Sequence, residues 1–253
     1  MKWSLRTLAR LCTVLPPVVL LQLTGLPQPA AHQPATDPYR VKHCADFHVN
    51  GLGDNREWQK TAWQPFTKID SGGIDYPTRS KILYSNSGIY LLFTGKDNKI
   101  TTKEYHDFEE IYEGDVFEAF FRPDRSRPQY FEYEINALGR ELILTLTRTG
   151  QKTLAWSPWN YEYRHAPLVQ KAVSVSGGDR VAGALIHTWT AELFLPYQLL
   201  ALLPGVVPKS GDTWDANFGR IDYDSGRQIQ WSWSKAIKRD FHELEHFGQI
   251  EFE

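Results

Sequence analysis

Short runs in which hydrophobic and polar residues alternate dominate the chain and predict β-strands rather than helices. The runs SKILYS and GIYLLFTG flank Asn86-Ser87 and predict a hairpin. Further runs of this kind are DVFEAFF, QYFEYEIN, ELILTLTRT, KAVSVSG, TWTAELFLP, DANFGRIDY, IQWSWS and FGQIEFE. Helical signals are confined to DFEEIY and PYQLLALL, which suffice for one or two turns each. The pattern predicts an all-β fold: a two-sheet antiparallel β-sandwich, immunoglobulin- or jelly-roll-like, with one or two short helices.

Alternation along each strand also sorts its side chains by face. In QYFEYEIN, the core face is predicted to carry Phe131, Tyr133 and Ile135. The other face is predicted to be open and polar, and it carries Tyr130, Glu132, Glu134 and Asn136. In DVFEAFF, Glu118 lies in phase with Val116 and Phe120. Because an unpaired buried carboxylate is costly, we expect a cation or several donors beside Glu118, in a structural ion pair or a ligand site.

The N-terminal residues predict export. Lys2, Arg6 and Arg10 form a positive region ahead of an apolar run, which PQPAA follows. The apolar run is shorter than a membrane span requires and is interrupted by two prolines, although a membrane anchor remains the alternative. We therefore expect a signal peptide over residues 1–31, a linker over 32–39 and one β-sandwich domain over 40–253, in a secreted, periplasmic or cell-surface protein.

Composition narrows the function further. The formal net charge is −2 and 23% of the residues are charged, so no basic surface points to nucleic acid. One of the two cysteines, Cys12, lies in the predicted signal peptide. The other, Cys44, then has no partner for an intramolecular disulfide, and we expect it to be a small buried residue. Nine tryptophans suit both strands and sugar-stacking surfaces.

The segment FHELEHFG contains His242-Glu243-Leu244-Glu245-His246, which matches the H-E-x-x-H pattern of zinc hydrolases. That pattern binds zinc from a helix, whereas here it lies between a polar loop and a closing strand. We therefore expect no catalytic zinc site at this segment.

Two carboxylates in a cleft are the signature of a glycosidase acid and nucleophile. Glu118, Glu132 and Glu134 are residues of the right type, and their separation decides whether they can act in this way. Hydrolysis of O-glycosyl bonds is therefore an alternative to binding without catalysis.

Taken in order, several segments resemble carbohydrate-binding module family 9 and its relatives among the DOMON-like sandwiches. They are PTRSKILYSNSGIYLLFTG, IYEGDVFEAFFRPD, YFEYEINALG, TAELFLPYQLL, GDTWDANFGRID, QWSWS and HFGQIEF. The resemblance implies a non-catalytic domain that binds sugar chains and supports polysaccharide recognition or catabolism. Two aromatic rings clamp the sugar in such modules, and polar residues bind its hydroxyl groups.

The resemblance also implies a set of ligand-binding residues. Tyr112 and Phe241 match the two clamp rings, Glu118 matches the acceptor of sugar hydroxyls, and Arg227 matches a donor. Behind them stand Glu134, Asn136 and Arg220. The clamp positions are usually tryptophan in the family, and Glu134 stands where the family has an arginine. These departures leave open a different ligand or, as a further alternative, a structural or protein-interaction role.

Other expectations follow from the same segments. Trp156 and Trp159, in the stretch AWSPWNYEY, are candidates for an added sugar-contact surface. No cofactor is expected except possible calcium, for which the turns GKDNK and DYDSG offer oxygen ligands without forming a full calcium loop. The expected partners are a poly- or oligosaccharide and, since related modules are often attached to catalytic domains, a separate glycoside hydrolase.

Overall fold

The computed structural model describes residues 37–150, 152–158, 169–238 and 240–253, which belong to one compact unit, Pro34–Glu253. The signal peptide predicted over residues 1–31, most of the predicted linker, and Trp159 lie outside the described residues. Within the described residues, no helix is long and apolar enough to cross a membrane.

Strands and short turns of 3-10 helix make up the regular structure of the described residues. The strands are β1 (Tyr39–His43), β2 (Gln64–Pro65), β3 (Thr67–Lys68), β4 (Thr78–Tyr84), β5 (Gly88–Lys96), β6 (Val116–Arg122), β7 (Gln129–Asn136), β8 (Glu141–Thr149), β9 (Lys152–Pro158), β10 (Gln170–Ser176), β11 (Thr188–Pro196), β12 (Thr213–Asp222), β13 (Ile229–Ser232) and β14 (Gly248–Phe252). The 3-10 helices are Arg56–Lys60, Ile111–Glu113, Tyr197–Leu200 and Leu244–His246. The predicted hairpin is confirmed as β4 and β5, and the two predicted helical stretches form single 3-10 segments.

Two sheets form the β-sandwich that the sequence predicts. Sheet 1 has the strand order β9-β8-β7-β6-β12-β14-β1, with β13 also paired to β12, and sheet 2 has the order β10-β11-β5-β4-β1. Strand β1 belongs to both sheets and pairs in parallel with β14 and with β4. The other strand pairs among the described residues are antiparallel, so β1 is the departure from the predicted antiparallel arrangement.

The main core lies between the sheets. Phe117 of β6 stacks on Phe93 of β5 at 5.3 Å between ring centroids and on Trp189 of β11 at 3.8 Å. The same core contains the three residues that alternation assigned to it in β7, namely Phe131, Tyr133 and Ile135. Burial of these large rings stabilises the sandwich, since each aromatic side chain removes about 150–250 Å² from water.

The opposite face of sheet 1 is covered as well. A second apolar cluster joins Val116, Phe120 and Tyr130 to Phe241 and Phe247 of the C-terminal segment. Alternation sorted the side chains of β7 correctly, but the expectation of an open polar face was wrong. The residues on that face are all buried: Tyr130, Glu132, Glu134 and Asn136. Strands can be sorted by face from sequence, whereas a covering segment about 100 residues further along the chain cannot be placed from the same pattern.

Candidate functional site

A groove of about 640 Å³ opens on the covered face of sheet 1. Its lining combines carboxylates, leucines and aromatic rings from β6, β7, β8 and β9 with residues of the loops at 108–112 and 240–242. The lining residues are Phe108, Glu109, Glu110, Tyr112, Glu118, Glu132, Glu134, Leu142, Leu144, Leu146, Thr153, Trp156, Ile221, Gln228, Gln230, Asp240, Phe241 and His242. A concave, largely apolar site with a few polar groups is typical of small-ligand binding.

Three glutamates form the floor of the groove, and we call them the glutamate cluster: Glu118, Glu132 and Glu134. Glu118 of β6 and Glu134 of β7 are direct cross-strand partners, and Glu132 lies two residues from Glu134 on the same face. One carboxylate oxygen from each residue lies within 4.8 Å of the other two. The strand register thus brings together, on one buried surface, three residues that the sequence offered separately.

Burial and mutual repulsion disfavour ionisation of the glutamate cluster. Burial raises the pKa of Glu118 well above its usual range, and the negative charge of Glu132 adds to this effect. The pKa of Glu134 is raised by burial and by both neighbouring carboxylates. Burial also raises the pKa of Glu132, with the nearby His242 ring acting in the opposite direction. The interaction between the two carboxyl groups raises the pKa of Glu134 further and opposes the rise in the pKa of Glu132.

Aromatic rings stand at the rim of the groove. Tyr112, in the 3-10 helix Ile111–Glu113, is 37% exposed, and Trp156 of β9 is 62% exposed. Trp156 is the cross-strand partner of Leu146, so both side chains reach the groove. By contrast, the predicted clamp ring Phe241 is only 3% exposed and packs against Phe120 at 6.0 Å between centroids.

Phe241 reaches the floor because Gly219 has no side chain. A Cβ atom built at Gly219 would lie 2.7 Å from Cε2 of the Phe241 ring, closer than real Cβ contacts allow. Gly219 is also the cross-strand partner of Glu118. The ring of Phe241 therefore covers the backbone beside Glu118 and closes one side of the glutamate cluster.

Of the predicted ligand-binding residues, the groove brings together Tyr112, Glu118, Glu134 and Phe241, whereas three others lie outside its lining. Arg227 is exposed, and its guanidinium lies 3.5 Å from Asp70 Oδ1, although its neighbour Gln228 lines the groove. Asn136 is buried, and its Oδ1 accepts hydrogen bonds from the backbone N–H groups of Leu138 and Arg140. It therefore holds the β7–β8 turn.

Arg220 lies on the other face of β12, between the two sheets. Its guanidinium donates to Asp97 Oδ2 at 3.0 Å and to Asp222 Oδ2 at 2.6 Å. All three side chains are fully buried. Gly219 and Arg220 are consecutive on a strand, so they face opposite sides of the sheet, and Gly219 lies on the side of the groove.

The turns GKDNK and DYDSG, considered for calcium, contribute Asp97 and Asp222 to an acidic cluster that Asp115 completes. Besides its bond from Arg220, Asp97 accepts the N–H of Lys99, and Asp222 accepts the N–H of Asp224. Asp115 accepts the backbone N–H groups of residues 101 and 223. Each of the six carboxylate oxygens thus has a protein donor and Arg220 supplies positive charge, so this donor set does not fit calcium. Calcium binding elsewhere stays a prediction.

The H-E-x-x-H segment does not form a zinc-binding helix. Its only regular element is the 3-10 helix Leu244–His246. His242 Nδ1 lies 2.7 Å from the hydroxyl of Tyr130, and His246 Nδ1 lies 3.2 Å from Glu243 Oε2. The two imidazoles are therefore engaged with different partners, and His242 lines the groove as a polar neighbour.

The spacing of the glutamate cluster also bears on the hydrolase alternative. A retaining glycosidase separates its two carboxyl groups by about 5–5.5 Å and an inverting one by about 6.5–9.5 Å. Here one oxygen from each of the three residues lies within 4.8 Å of the other two, on one floor of the groove. Oxygens this close are compatible with the retaining separation, so hydrolysis by these residues stays an alternative to binding without catalysis.

Several residues that line the groove were not among the predicted ligand-binding residues. The leucine side of the groove consists of Leu142, Leu144 and Leu146. Their spacing in ELILTLTRT is a signal that places them on one face of a strand. Gln228, Gln230 and Asp240 carried no comparable signal, because they lie at strand ends and in loops whose position depends on distant contacts.

Comparisons with known proteins agree with this fold. The sequence profile described as carbohydrate-binding family 9 matches residues 54–252. A Bacteroides uniformis protein with a proposed carbohydrate-binding role has a TM-score of 0.66 at 19% identity, covering 85% of this chain and 99% of its own. A family 9 module from Caldicellulosiruptor kristjanssonii was solved with cellotriose, with a TM-score of 0.57, 13% identity and coverage of 86% and 94%. The same kind of module from that organism, solved with glucose, has a TM-score of 0.56 at 12% identity, covering 86% of this chain and 96% of its own. A comparison with curated protein sequences gives no significant match.

Proposed function

Because this chain belongs to carbohydrate-binding family 9, we propose that it binds carbohydrate without catalysis and that the groove on sheet 1 is its binding site. The observation that carries this proposal is the combination of two exposed aromatic rings at the rim with buried carboxylates at the floor. A pyranose has an apolar C–H face that packs on a ring and hydroxyl groups that donate to carboxylates.

In the proposed complex, Tyr112 and Trp156 stack on the sugar, while Glu118 and Glu134 accept hydrogen bonds at the floor. Phe241 is too buried to offer a full ring face, and it acts instead as an apolar side wall. Gln228 and Gln230 supply amide donors in place of Arg227, which lies outside the lining. Trp156 therefore takes the second stacking position that the resemblance assigned to Phe241.

The test is calorimetric titration of the purified protein with glucose, cellotriose and a panel of other oligo- and polysaccharides, with each mixture analysed for released sugar. Glucose and cellotriose are the first probes because they occupy the solved Caldicellulosiruptor modules. We expect binding without release, and we expect both Tyr112→Ala and Glu118→Gln to weaken it while circular dichroism stays unchanged. Glu104→Gln, at an exposed position outside the groove lining, is the matched control.

Release of sugar would overturn the non-catalytic proposal, and full affinity in both groove variants would overturn the site. The wider setting is also part of the proposal: export by the N-terminal segment and cooperation with a separate glycoside hydrolase. The support for export is the positively charged, then apolar, order of residues 1–31.

A further inference from the structure

The glutamate cluster gathers three buried carboxyl groups that the described residues do not pair with a cation. Among them, no lysine or arginine forms an ion pair with Glu118, Glu132 or Glu134, and Arg148 pairs instead with Asp240 at 2.9 Å. Glu132 Oε2 and Glu134 Oε2 are buried without a hydrogen-bond partner. The ring of His242 lies near Glu132 and opposes the rise that burial causes in the pKa of that carboxyl group. Buried carboxylate oxygens without partners are costly, so these two oxygens favour a ligand that donates hydrogen bonds to them.

Sugar hydroxyl groups alone satisfy these carboxyl oxygens only in part. A hydroxyl brings one donor and no charge, whereas a protonated amine brings a positive charge and three donors with no acceptor. Three acceptors around one ammonium nitrogen, each at about 2.8 Å, lie roughly 4.5 Å from one another. The three oxygens of the glutamate cluster all fall within 4.8 Å of one another, so one ammonium nitrogen placed between them can contact all three.

The walls above the floor fit the remainder of a sugar ring. Leu142, Leu144 and Phe241 border the carboxylates, and the exposed rings of Tyr112 and Trp156 lie at the rim. A bare metal ion would leave most of the roughly 640 Å³ of groove unused. We propose that the groove selects a carbohydrate bearing a protonated amine, a hexosamine unit whose ammonium group is held by Glu118, Glu132 and Glu134. This inference rests on the proposed function and names the sugar class for the same groove.

Three matched ligands test the inference, because glucosamine, N-acetylglucosamine and glucose differ only in the group at one ring carbon. Calorimetry with these sugars and their β-1,4-linked trimers is run at about pH 7, where an amine with a pKa of about 8 is mostly charged. Since hydrogen bonds to charged groups contribute about 1.5–3 kcal/mol, the amine-bearing ligand is expected to bind at least about tenfold more tightly than the other two.

Two isosteric variants test whether the glutamate cluster causes the preference for the amine-bearing sugar. Glu134→Gln and Glu132→Gln are each expected to abolish it, whereas Glu104→Gln, at an exposed position outside the groove lining, leaves it unchanged. Thermal unfolding identifies a variant that fails to fold, in which case the other variant decides. Equal or tighter binding of glucose, or a preference that survives in a folded variant, would overturn the inference while leaving the proposed function intact.

Titrations with calcium test the remaining alternative, which is that the glutamate cluster binds a metal ion. Each titration is repeated with calcium and with a chelator, and calcium alone is titrated as a ligand. A preference that survives chelation supports the inference. Calcium binding that Glu134→Gln removes, together with sugar binding only in its presence, would show a metal site and overturn it. If none of the six sugars binds in any condition, the inference fails, and the panel of other saccharides decides whether the proposed function fails as well.

Discussion

The contribution of Trp156 to binding can be worked from its exposure. The residue is 62% exposed at the groove rim. For a tryptophan of about 250 Å², a sugar covering one face of the exposed part removes roughly 75 Å² from water. At about 25 cal/mol per Å², this burial contributes about 2 kcal/mol. Trp156→Ala is therefore expected to weaken binding of the best ligand roughly 25-fold.

The assay is calorimetric titration of the wild type and variants with that ligand. Leu154→Ala is the matched control, because Leu154 lies on the same strand and is also 62% exposed, yet it is not among the groove-lining residues. Trp156→Phe retains a smaller ring and is expected to lose less affinity than Trp156→Ala. Wild-type affinity in Trp156→Ala, with the fold intact, would refute the reasoning that places a stacked sugar at this rim.

Three further perturbations have expected outcomes. Gly219→Ala puts a methyl group against the Phe241 ring and should lower the free energy of unfolding, measured in urea, by about 1–3 kcal/mol. It should also weaken sugar binding, and unchanged stability together with unchanged affinity would contradict the close packing. Arg220→Met leaves Asp97 buried without its cation and should lower the free energy of unfolding by about 3–5 kcal/mol near pH 8. The loss should be smaller near pH 5, because the buried carboxyl group is then protonated. A loss of stability that does not depend on pH would count against the ion pair. Because the pKa of Glu118 is raised on folding, its contribution to stability is full below its unfolded pKa and is lost as pH rises through the folded value. Glu118→Gln should therefore show a smaller fall in melting temperature with rising pH than the wild type, and equal slopes would show that Glu118 does not titrate as described.

Local alternation is sufficient to predict the strands and their core faces. Phe131, Tyr133 and Ile135 all lie between the sheets as expected, and Cys44 is buried as expected. The hairpin of β4 and β5 also follows from sequence alone. These features depend on contacts within a strand or between neighbours in the chain, which is the range that a period-two pattern describes.

The site is less predictable because strand register decides it. Glu118 faces Glu134 only through the pairing of β6 with β7, and Trp156 reaches the groove only through its pairing with Leu146. A shift of one residue would turn either side chain to the other face. Arg220 illustrates the same limit, because the family resemblance implied a ligand contact for it, while the pleat of β12 places its side chain between the sheets.

The two buried acidic clusters of this sandwich differ in the partners of their carboxyl groups. Around Asp97 and Asp222, an internal arginine and backbone donors meet every carboxylate oxygen. The glutamate cluster has no such arginine among the described residues, and two of its oxygens have no donor. Packing does not require this arrangement, because glutamine at Glu132 or Glu134 would fill the same volume without a charge. Sequences that break a local rule inside an otherwise consistent fold do so at functional sites. Here the carboxyl oxygens without partners lie at the floor of the groove, where a cationic sugar would supply the missing donors.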